Sequence, residues 1–129
     1  GKRILLAEDL EINAEIMTEL LRMRGMEVEV AQNGRIAVDL VENNDPGHFD
    51  LILMDMRMPV LDGLGATKEI RKSSHPDGKD IPIVALTANA FDEDVQRAIQ
   101  AGMNAFLSKP VEPDKLYETI SRMIQERKK

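Results

Sequence analysis

The chain has 129 residues, a formal net charge of -6 and 43% hydrophobic residues, and it contains no cysteine. This length and this apolar content are typical of one globular domain with a single core. The negative charge argues against binding to a nucleic-acid backbone, and the absence of cysteine excludes disulfides and thiol chemistry. No apolar run approaches the roughly 18 residues of a membrane span. We therefore expect one soluble domain over residues 1–129, compatible with the cytoplasm.

Short apolar runs alternate with amphipathic segments along the whole chain. The runs predict buried strands at residues 4–7, 28–31, 51–54, 83–86 and 105–107. Apolar residues at helical spacing predict five core-facing helix stripes: Ile12, Ile16, Leu20 and Met23; Ile36, Ala37, Leu40 and Val41; Leu64, Thr67 and Ile70; Val95, Ala98 and Ile99; Leu116, Ile120, Met123 and Ile124. The alternation predicts an α/β fold with a doubly wound parallel sheet.

Two regions depart from this regular pattern. Residues 28–31 alternate apolar and polar more than the other runs, which favours a strand nearer the sheet's edge. Residues 73–80 form a polar segment rich in turn residues, and we expect a mobile insertion there. No repeat or linker divides the chain.

The run Leu51–Met54 is followed at once by the carboxylate of Asp55. The run is too short for a buried helix, and Pro59 prevents a strand from continuing. Asp55 is therefore predicted at the carboxyl end of a central parallel strand, which is where open α/β sheets bind their ligands. A charge at the edge of an apolar core is costly unless another group pairs with it.

The carboxyl ends of parallel strands lie on one side of a sheet, so the residues that follow each run should meet. They are Glu8 and Asp9, then Asp55, then Thr87, then Lys109. Three carboxylates at close range repel one another and call for a cation, and oxygen ligands without cysteine or histidine favour Mg²⁺ over zinc. Such a site could accept a phosphoryl group on one carboxylate, with Thr87 and Lys109 holding phosphoryl oxygens.

These residues, within Leu-Met-Asp-Met-Arg-Met-Pro, Thr87-Ala88 and Lys109-Pro110, resemble the receiver domain of two-component response regulators along essentially the whole chain. The resemblance implies a flavodoxin-like five-stranded sheet in the order 2-1-3-4-5. It also implies that Asp55 is a phosphoacceptor, which takes a phosphoryl group from a phosphohistidine on a partner protein. The domain would phosphorylate and dephosphorylate itself at Asp55 rather than turn over a substrate.

The resemblance also assigns roles to individual residues. Asp9 and Asp55 would bind Mg²⁺ (or Mn²⁺) directly, Glu8 would do so through water, and the backbone carbonyl of Arg57 would complete the protein ligands. Glu8 stands where an aspartate is often found, which lengthens the reach of that acid.

Thr87 and Phe106 would form the switch pair that transmits phosphorylation to the partner surface. Phe106 stands where a tyrosine is frequent, so a buried side chain there would have no hydroxyl to satisfy. The Lys109-Pro110 peptide bond would be cis.

Residues 8–13 and 86–90 are similar to receivers that are fused to hybrid sensor histidine kinases. Together with Gly1 in place of a methionine, this suggests a receiver taken from such a kinase, whose cytoplasmic part it would form. The implied partners are a sensor histidine kinase, its dimerisation and phosphotransfer domain, or a histidine phosphotransfer protein. We expect no contact of this domain with nucleic acid or membrane.

Three alternatives remain open on the sequence. A degenerate receiver could bind partners without being phosphorylated, although every key residue is present. A phosphatase of the haloacid dehalogenase type would need a second Asp two residues after Asp55, and Arg57 is there instead. A flavodoxin-like nucleotide-binding module would need a Gly-rich or hydroxyl-rich loop after the first strand, where Glu8 and Asp9 stand.

Overall fold

Strands and helices alternate strictly in the part of the chain that the structure describes. The computed structural model describes residues 2–58, 60–88, 92–109 and 111–127. Its five strands are β1 (Arg3–Ala7), β2 (Glu27–Ala31), β3 (Leu51–Asp55), β4 (Ile83–Thr87) and β5 (Ala105–Ser108). Its five helices are α1 (Glu11–Arg22), α2 (Gly34–Asn43), α3 (Gly63–Lys72), α4 (Asp92–Ala101) and α5 (Pro113–Arg127). No described helix combines the length and the apolar character that crossing a membrane requires.

The five described strands form one parallel sheet in the order β2-β1-β3-β4-β5. This order and the fold class are the predicted ones, and β2 lies at the edge as its alternating sequence indicated. β3 is central, and all five of its residues are buried. Asp55, its last residue, pairs in register with Leu86 of β4.

Apolar side chains fill the space on both faces of the sheet. One layer contains Leu5 and Ala7 of β1 with residues of α2, α3 and α4. The other contains Ile4 and Leu6 of β1 with residues of α1 and α5. Because alternate strand residues enter opposite layers, the central strands β3 and β4 are apolar up to their last residue, as strands covered on both faces must be.

The predicted core stripe of α1 is wrong. Ile12, Ile16 and Met23 are 68%, 56% and 77% exposed. The buried face instead presents Ala14, Met17 and Leu21. Both sets have helical spacing, so periodicity alone could not choose between them, and the larger side chains misled the interpretation. Leu20 is partly buried against the α1/α5 core layer, and Met23 lies beyond the last helical residue.

The other predicted stripes are closer to the structure. In α2, Ile36 is exposed and Val38 takes its place in the core. In α4, Ile99 is exposed although Ala98 is buried. The stripe of α3 is confirmed by Thr67 and Ile70, which are fully buried. The stripe of α5 is also confirmed, with Leu116, Ile120, Met123 and Ile124 buried.

The polar loop of residues 73–80 is anchored at both sides. The His75 ring donates from Nε2 to the carbonyl oxygen of Asn44 at 2.7 Å, and its Nδ1 accepts the Asp77 N–H at 3.1 Å. The buried Asp77 carboxylate accepts from the Arg127 guanidinium at 2.8 Å and from the Gly47 N–H at 2.9 Å. These contacts tie the loop to α2 and α5, which does not fit the mobile insertion that its composition predicted.

Candidate functional site

The carboxyl end of the sheet brings three acids together. Glu8 and Asp9 follow β1, and Asp55 ends β3. Carboxylate oxygens of all three lie within 4.8 Å of one another. Glu8 is 2% exposed and Asp55 is 5% exposed, whereas Asp9 is the most exposed of the three. Adjacent parallel strands therefore produce the acidic cluster that the sequence predicted at this edge.

A lysine approaches the two buried acids from the other side. The ammonium of Lys109 lies 2.9 Å from Asp55 Oδ2 and 3.3 Å from Glu8 Oε2. Its backbone N–H donates to the Thr87 carbonyl at 2.8 Å, which extends the β4–β5 pairing and fixes where the side chain starts. The other oxygen of Asp55, Oδ1, accepts the Arg57 N–H at 3.1 Å. Each oxygen of the Asp55 carboxylate thus has a donor.

Burial and neighbouring charges shift the pKa values of Glu8 and Lys109. Burial, then the hydrogen bond and charge of Asp55, raise the pKa of Glu8, and Lys109 only partly offsets these effects. Burial lowers the pKa of Lys109, but its hydrogen bonds and charge interactions with Asp55 and Glu8 outweigh burial, so its pKa is raised. Glu8 thus resists ionisation while Lys109 stays protonated. One ammonium cannot neutralise three carboxylates, so the described cluster attracts a further cation.

The donor set of the cluster fits a hard divalent cation. The three acids offer carboxylate oxygens only, which Mg²⁺ prefers and Mn²⁺ also accepts. Mg²⁺ keeps several waters and needs only one or two carboxylates, so three acids at an open edge of the sheet can hold it without a closed protein cage.

The two predicted switch residues differ in burial. Thr87, the last residue of β4, is buried. The expectation that Phe106 is buried is wrong, because it is 42% exposed. β5 is an edge strand whose Leu107 enters the core, so Phe106 points to the other face. There it borders a recess of about 240 Å³ that is also lined by Ala98 and Ile99 of α4.

Gly63 lies against the backbone of Asp55, a contact that the sequence alone did not indicate. Gly63 begins α3, and its N–H donates to the Met56 carbonyl at 3.2 Å. A Cβ at this position would collide with the carbonyl oxygen of Asp55. Asp62 caps the helix by accepting the Gly65 N–H at 2.8 Å. The Asp-Gly pair signals a helix start, but the close approach to Asp55 is visible only in three dimensions.

An apolar groove leads from α1 into the acidic cluster. It has a volume of about 390 Å³, and we call it the α1 groove; it is lined by Glu8, Asn13, Ile16, Met17, Leu20, Leu86, Lys109 and Val111. Asn13 lines the groove beside Glu8, and its amide nitrogen donates to Glu8 Oε1 at 3.4 Å. The only sequence signal for Asn13 was its place in the motif of residues 8–13.

Some expectations fall outside the described residues. They concern the peptide bond before Pro110, the strand-ending role of Pro59, and Asn89 and Ala90 in the second hybrid-kinase motif.

Comparison with known proteins decides the family. The model of the response regulator receiver domain matches residues 4–121. The chain belongs to this family. The resemblance drawn from the sequence is thereby confirmed, and the acidic cluster with Lys109 occupies the strand ends of a receiver domain.

Two curated relatives of this receiver domain are histidine kinases much longer than this chain. It is 37% identical over 125 residues to hybrid signal transduction histidine kinase I of Dictyostelium discoideum, which covers 95% of this chain and 7% of that protein. It is 40% identical over 117 residues to the osmosensing histidine protein kinase SLN1 of Saccharomyces cerevisiae, covering 88% of this chain and 9% of that protein. The chain therefore spans less than a tenth of these relatives, and the similarity to hybrid-kinase receivers is confirmed.

Solved structures agree with this assignment. The receiver domain of the sensor histidine kinase PA1611 from Pseudomonas aeruginosa, described with a magnesium ion coordinated in its active site cleft, is 42% identical. It has a TM-score of 0.87 and covers 97% of this chain and 98% of that chain. The Ssk1 receiver from S. cerevisiae, crystallised with the phosphotransfer protein Ypd1, is 32% identical at a TM-score of 0.83 and covers 95% of this chain and 88% of that chain.

Proposed function

We propose that this receiver domain is a phosphoacceptor switch of a two-component phosphorelay, in which Asp55 takes a phosphoryl group from a phosphohistidine. The observation that carries the proposal is the placement of the Asp55 carboxylate. It is buried at a strand end, 2.9 Å from the Lys109 ammonium and beside two further acids. A nucleophilic carboxylate next to a cation-attracting cluster is the arrangement that phosphoryl transfer requires.

The chain's own groups orient the reaction. An oxygen of Asp55 forms the new bond to phosphorus, the bond from phosphorus to the imidazole nitrogen breaks, and its electron pair stays on the imidazole, which takes up a proton from water. Donors from Lys109 and the Arg57 backbone fix the rotation of the carboxylate before the attack. Lys109 and the Thr87 hydroxyl then hold oxygens of the transferred group.

The proposed cation ligands are Asp9, Asp55 and the Arg57 carbonyl directly, with Glu8 acting through water. Bound Mg²⁺ supplies positive charge that offsets the charge of the transferring group. The carboxylate cluster supports this assignment, and so does the magnesium ion described for the PA1611 receiver. Mn²⁺ is proposed as a substitute, because it takes the same oxygen ligands. The product is a phosphoprotein that loses its group by autodephosphorylation, so the isolated domain is not a turnover enzyme.

Acetyl phosphate with Mg²⁺ is expected to add one phosphoryl group to the protein, detected by intact mass. The addition should disappear when the cation is removed with a chelator, because the three carboxylates would then repel the donor. A control reaction with Mn²⁺ in place of Mg²⁺ should restore it. If no adduct forms with either metal and beryllofluoride does not bind, the domain is a phosphorylation-independent interaction module.

The switch is proposed to run from Thr87 to Phe106. The new phosphoryl oxygens draw the Thr87 hydroxyl inward, and Phe106 moves from its exposed position into the space vacated. The exposure of Phe106 and the recess beside α4 are compatible with such a movement. Binding shifts a conformational equilibrium only through contacts that differ between the states, and the Thr87 contact supplies that difference.

Replacing Thr87 by alanine is expected to separate phosphorylation from the response. Thr87→Ala should still be labelled by acetyl phosphate, but beryllofluoride with Mg²⁺ should no longer shift the amide signals of residues 95–107 in NMR spectra. Thr18→Ala, a half-buried threonine on α1 that does not line the acidic cluster or the α1 groove, should respond like the native chain. A normal response in Thr87→Ala would contradict the proposed switch.

The phosphoryl donor is proposed to dock on α1. Ile12 and Ile16 are exposed apolar side chains on this helix, and the α1 groove runs from Ile16 to Lys109. A sensor histidine kinase, its dimerisation and phosphotransfer domain, or a histidine phosphotransfer protein would cover this face. The crystallisation of the Ssk1 receiver with the phosphotransfer protein Ypd1 supports a donor of this class. We place this relay in the cytoplasm, where the receiver of a membrane-anchored hybrid kinase would lie.

A polar substitution on α1 should slow phosphoryl transfer from protein donors but not from small-molecule donors. Ile16→Ser is expected to slow transfer from a phosphorylated histidine phosphotransfer protein about tenfold, the loss typical of an apolar interface anchor. Its labelling by acetyl phosphate should not change. Ile36→Ser, an exposed isoleucine on α2, is the matched control and should leave both rates unchanged. Equal slowing with both donors would place the effect at the site rather than at docking.

A further inference from the structure

The buried Glu8 carboxylate has different partners at its two oxygens. Oε2 faces the Lys109 ammonium at 3.3 Å. Oε1 accepts from the Leu10 N–H at 3.3 Å and from the Asn13 amide at 3.4 Å. Among the described residues, Asn13 is the side chain that donates to Oε1. A carboxylate this deeply buried needs hydrogen-bond donors to hold its orientation.

Helix α1 provides the position for this donor. Glu8 precedes the helix and Asn13 lies in its first turn, so the chain returns over the carboxylate within five residues. The Leu10 backbone donor and the Asn13 amide together close off one oxygen. The other oxygen is left for Lys109, Asp55 and the cation site. Neither donor belongs to the cluster of acids itself.

We propose that Asn13 is a positioning residue of the phosphorylation site, which fixes the Glu8 carboxylate for its role toward the divalent cation. This inference rests on the proposed function. The Asn13 amide acts on the cation only through Glu8, in the way that hydrogen-bond partners of metal ligands orient those ligands. Its removal should therefore weaken cation affinity without removing a ligand.

Calorimetric titration with Mg²⁺ alone tests the proposal. Asn13→Ala is expected to weaken Mg²⁺ affinity about threefold to tenfold, at or below the lower end of the losses seen for outer-shell partners. Alanine is the better helix former, so a loss cannot come from a weakened helix. Thr18→Ala, on the same helix and outside the site, should bind Mg²⁺ like the native chain. An unchanged affinity in Asn13→Ala would overturn the proposal.

A double-mutant cycle with Glu8→Gln separates positioning from a general structural effect. In the Glu8→Gln background, adding Asn13→Ala should change Mg²⁺ affinity less than twofold, because the charge that Asn13 orients is gone. An equal loss in both backgrounds would overturn the positioning role while leaving the proposed function intact. If the native chain itself bound no Mg²⁺, the cation site of the proposed function would fail, and this inference with it.

Discussion

Replacing Asp55 by asparagine should reduce labelling by acetyl phosphate to the level seen without donor. The amide is nearly the same size as the carboxylate, but it lacks the anionic oxygen that attacks phosphorus. The change also removes one of three mutually repelling carboxylates, while Lys109 keeps its contact with Glu8 at 3.3 Å. We therefore expect the metal-free variant to be at least as stable as the native chain in urea unfolding, so that lost labelling reports chemistry.

Asp62→Asn is the matched control for this experiment. Asp62 lies in the same β3–α3 connection, is exposed, and caps α3 through the Gly65 N–H at 2.8 Å. Asparagine caps a helix about as well as aspartate, so the fold should not change. This variant should be labelled like the native chain. A phosphoryl group retained on Asp55→Asn would move the acceptor to another residue.

Replacing Gly63 by alanine should lower the free energy of unfolding by roughly 2–3 kcal/mol, the upper range for overpacking. The added methyl group would collide with the carbonyl oxygen of Asp55, and the carbonyl carbon lies only 3.0 Å away. A backbone group within the central strand cannot rotate aside as a side chain can. Either α3 or Asp55 must move, so labelling by acetyl phosphate should also slow. Urea unfolding and intact mass measure the two effects.

Gly65→Ala, two residues along the same helix, distinguishes this conflict from ordinary glycine replacement. A Cβ there meets the end of the flexible Leu61 side chain at 2.7 Å. Gly65 lies in the first turn of α3, so alanine in place of glycine gains at most about 1 kcal/mol, the value for a helix interior. We expect this variant to keep its labelling and to unfold no earlier than the native chain. Similar losses in both variants would mean that α3 tolerates no alanine, and the contact with Asp55 would not be the cause.

The strands could be predicted because burial on both faces leaves a clear mark in the sequence. Every residue of β3 is buried, and β1 is buried from Ile4 onward. Runs this short and this apolar fit a buried strand better than a helix, and the acids that follow them locate the site at once. The order of the strands was implied by the resemblance, since the runs themselves do not say which of them are neighbours.

Helix faces and close approaches were harder to predict. In α1 the exposed set with Ile12 and Ile16 and the buried set with Ala14 and Met17 both have helical spacing, so only the packed fold distinguishes them. Phe106 was misplaced because an edge strand has one poorly covered face. The roles of Gly63 and Asn13 depend on which atoms approach across a turn, and composition carries no record of that.

The exposed isoleucines of α1, Ile12 and Ile16, and the exposed Phe106 lie on opposite sides of the sheet. α1 packs on the core layer that it shares with α5, whereas α4, beside Phe106, packs on the other layer. A donor seated on α1 and a reader seated near α4 would then not compete for space. Phosphorylation by the donor and binding of the downstream partner could then take place in one assembly of three proteins. The rate of signalling would not be limited by dissociation of the donor.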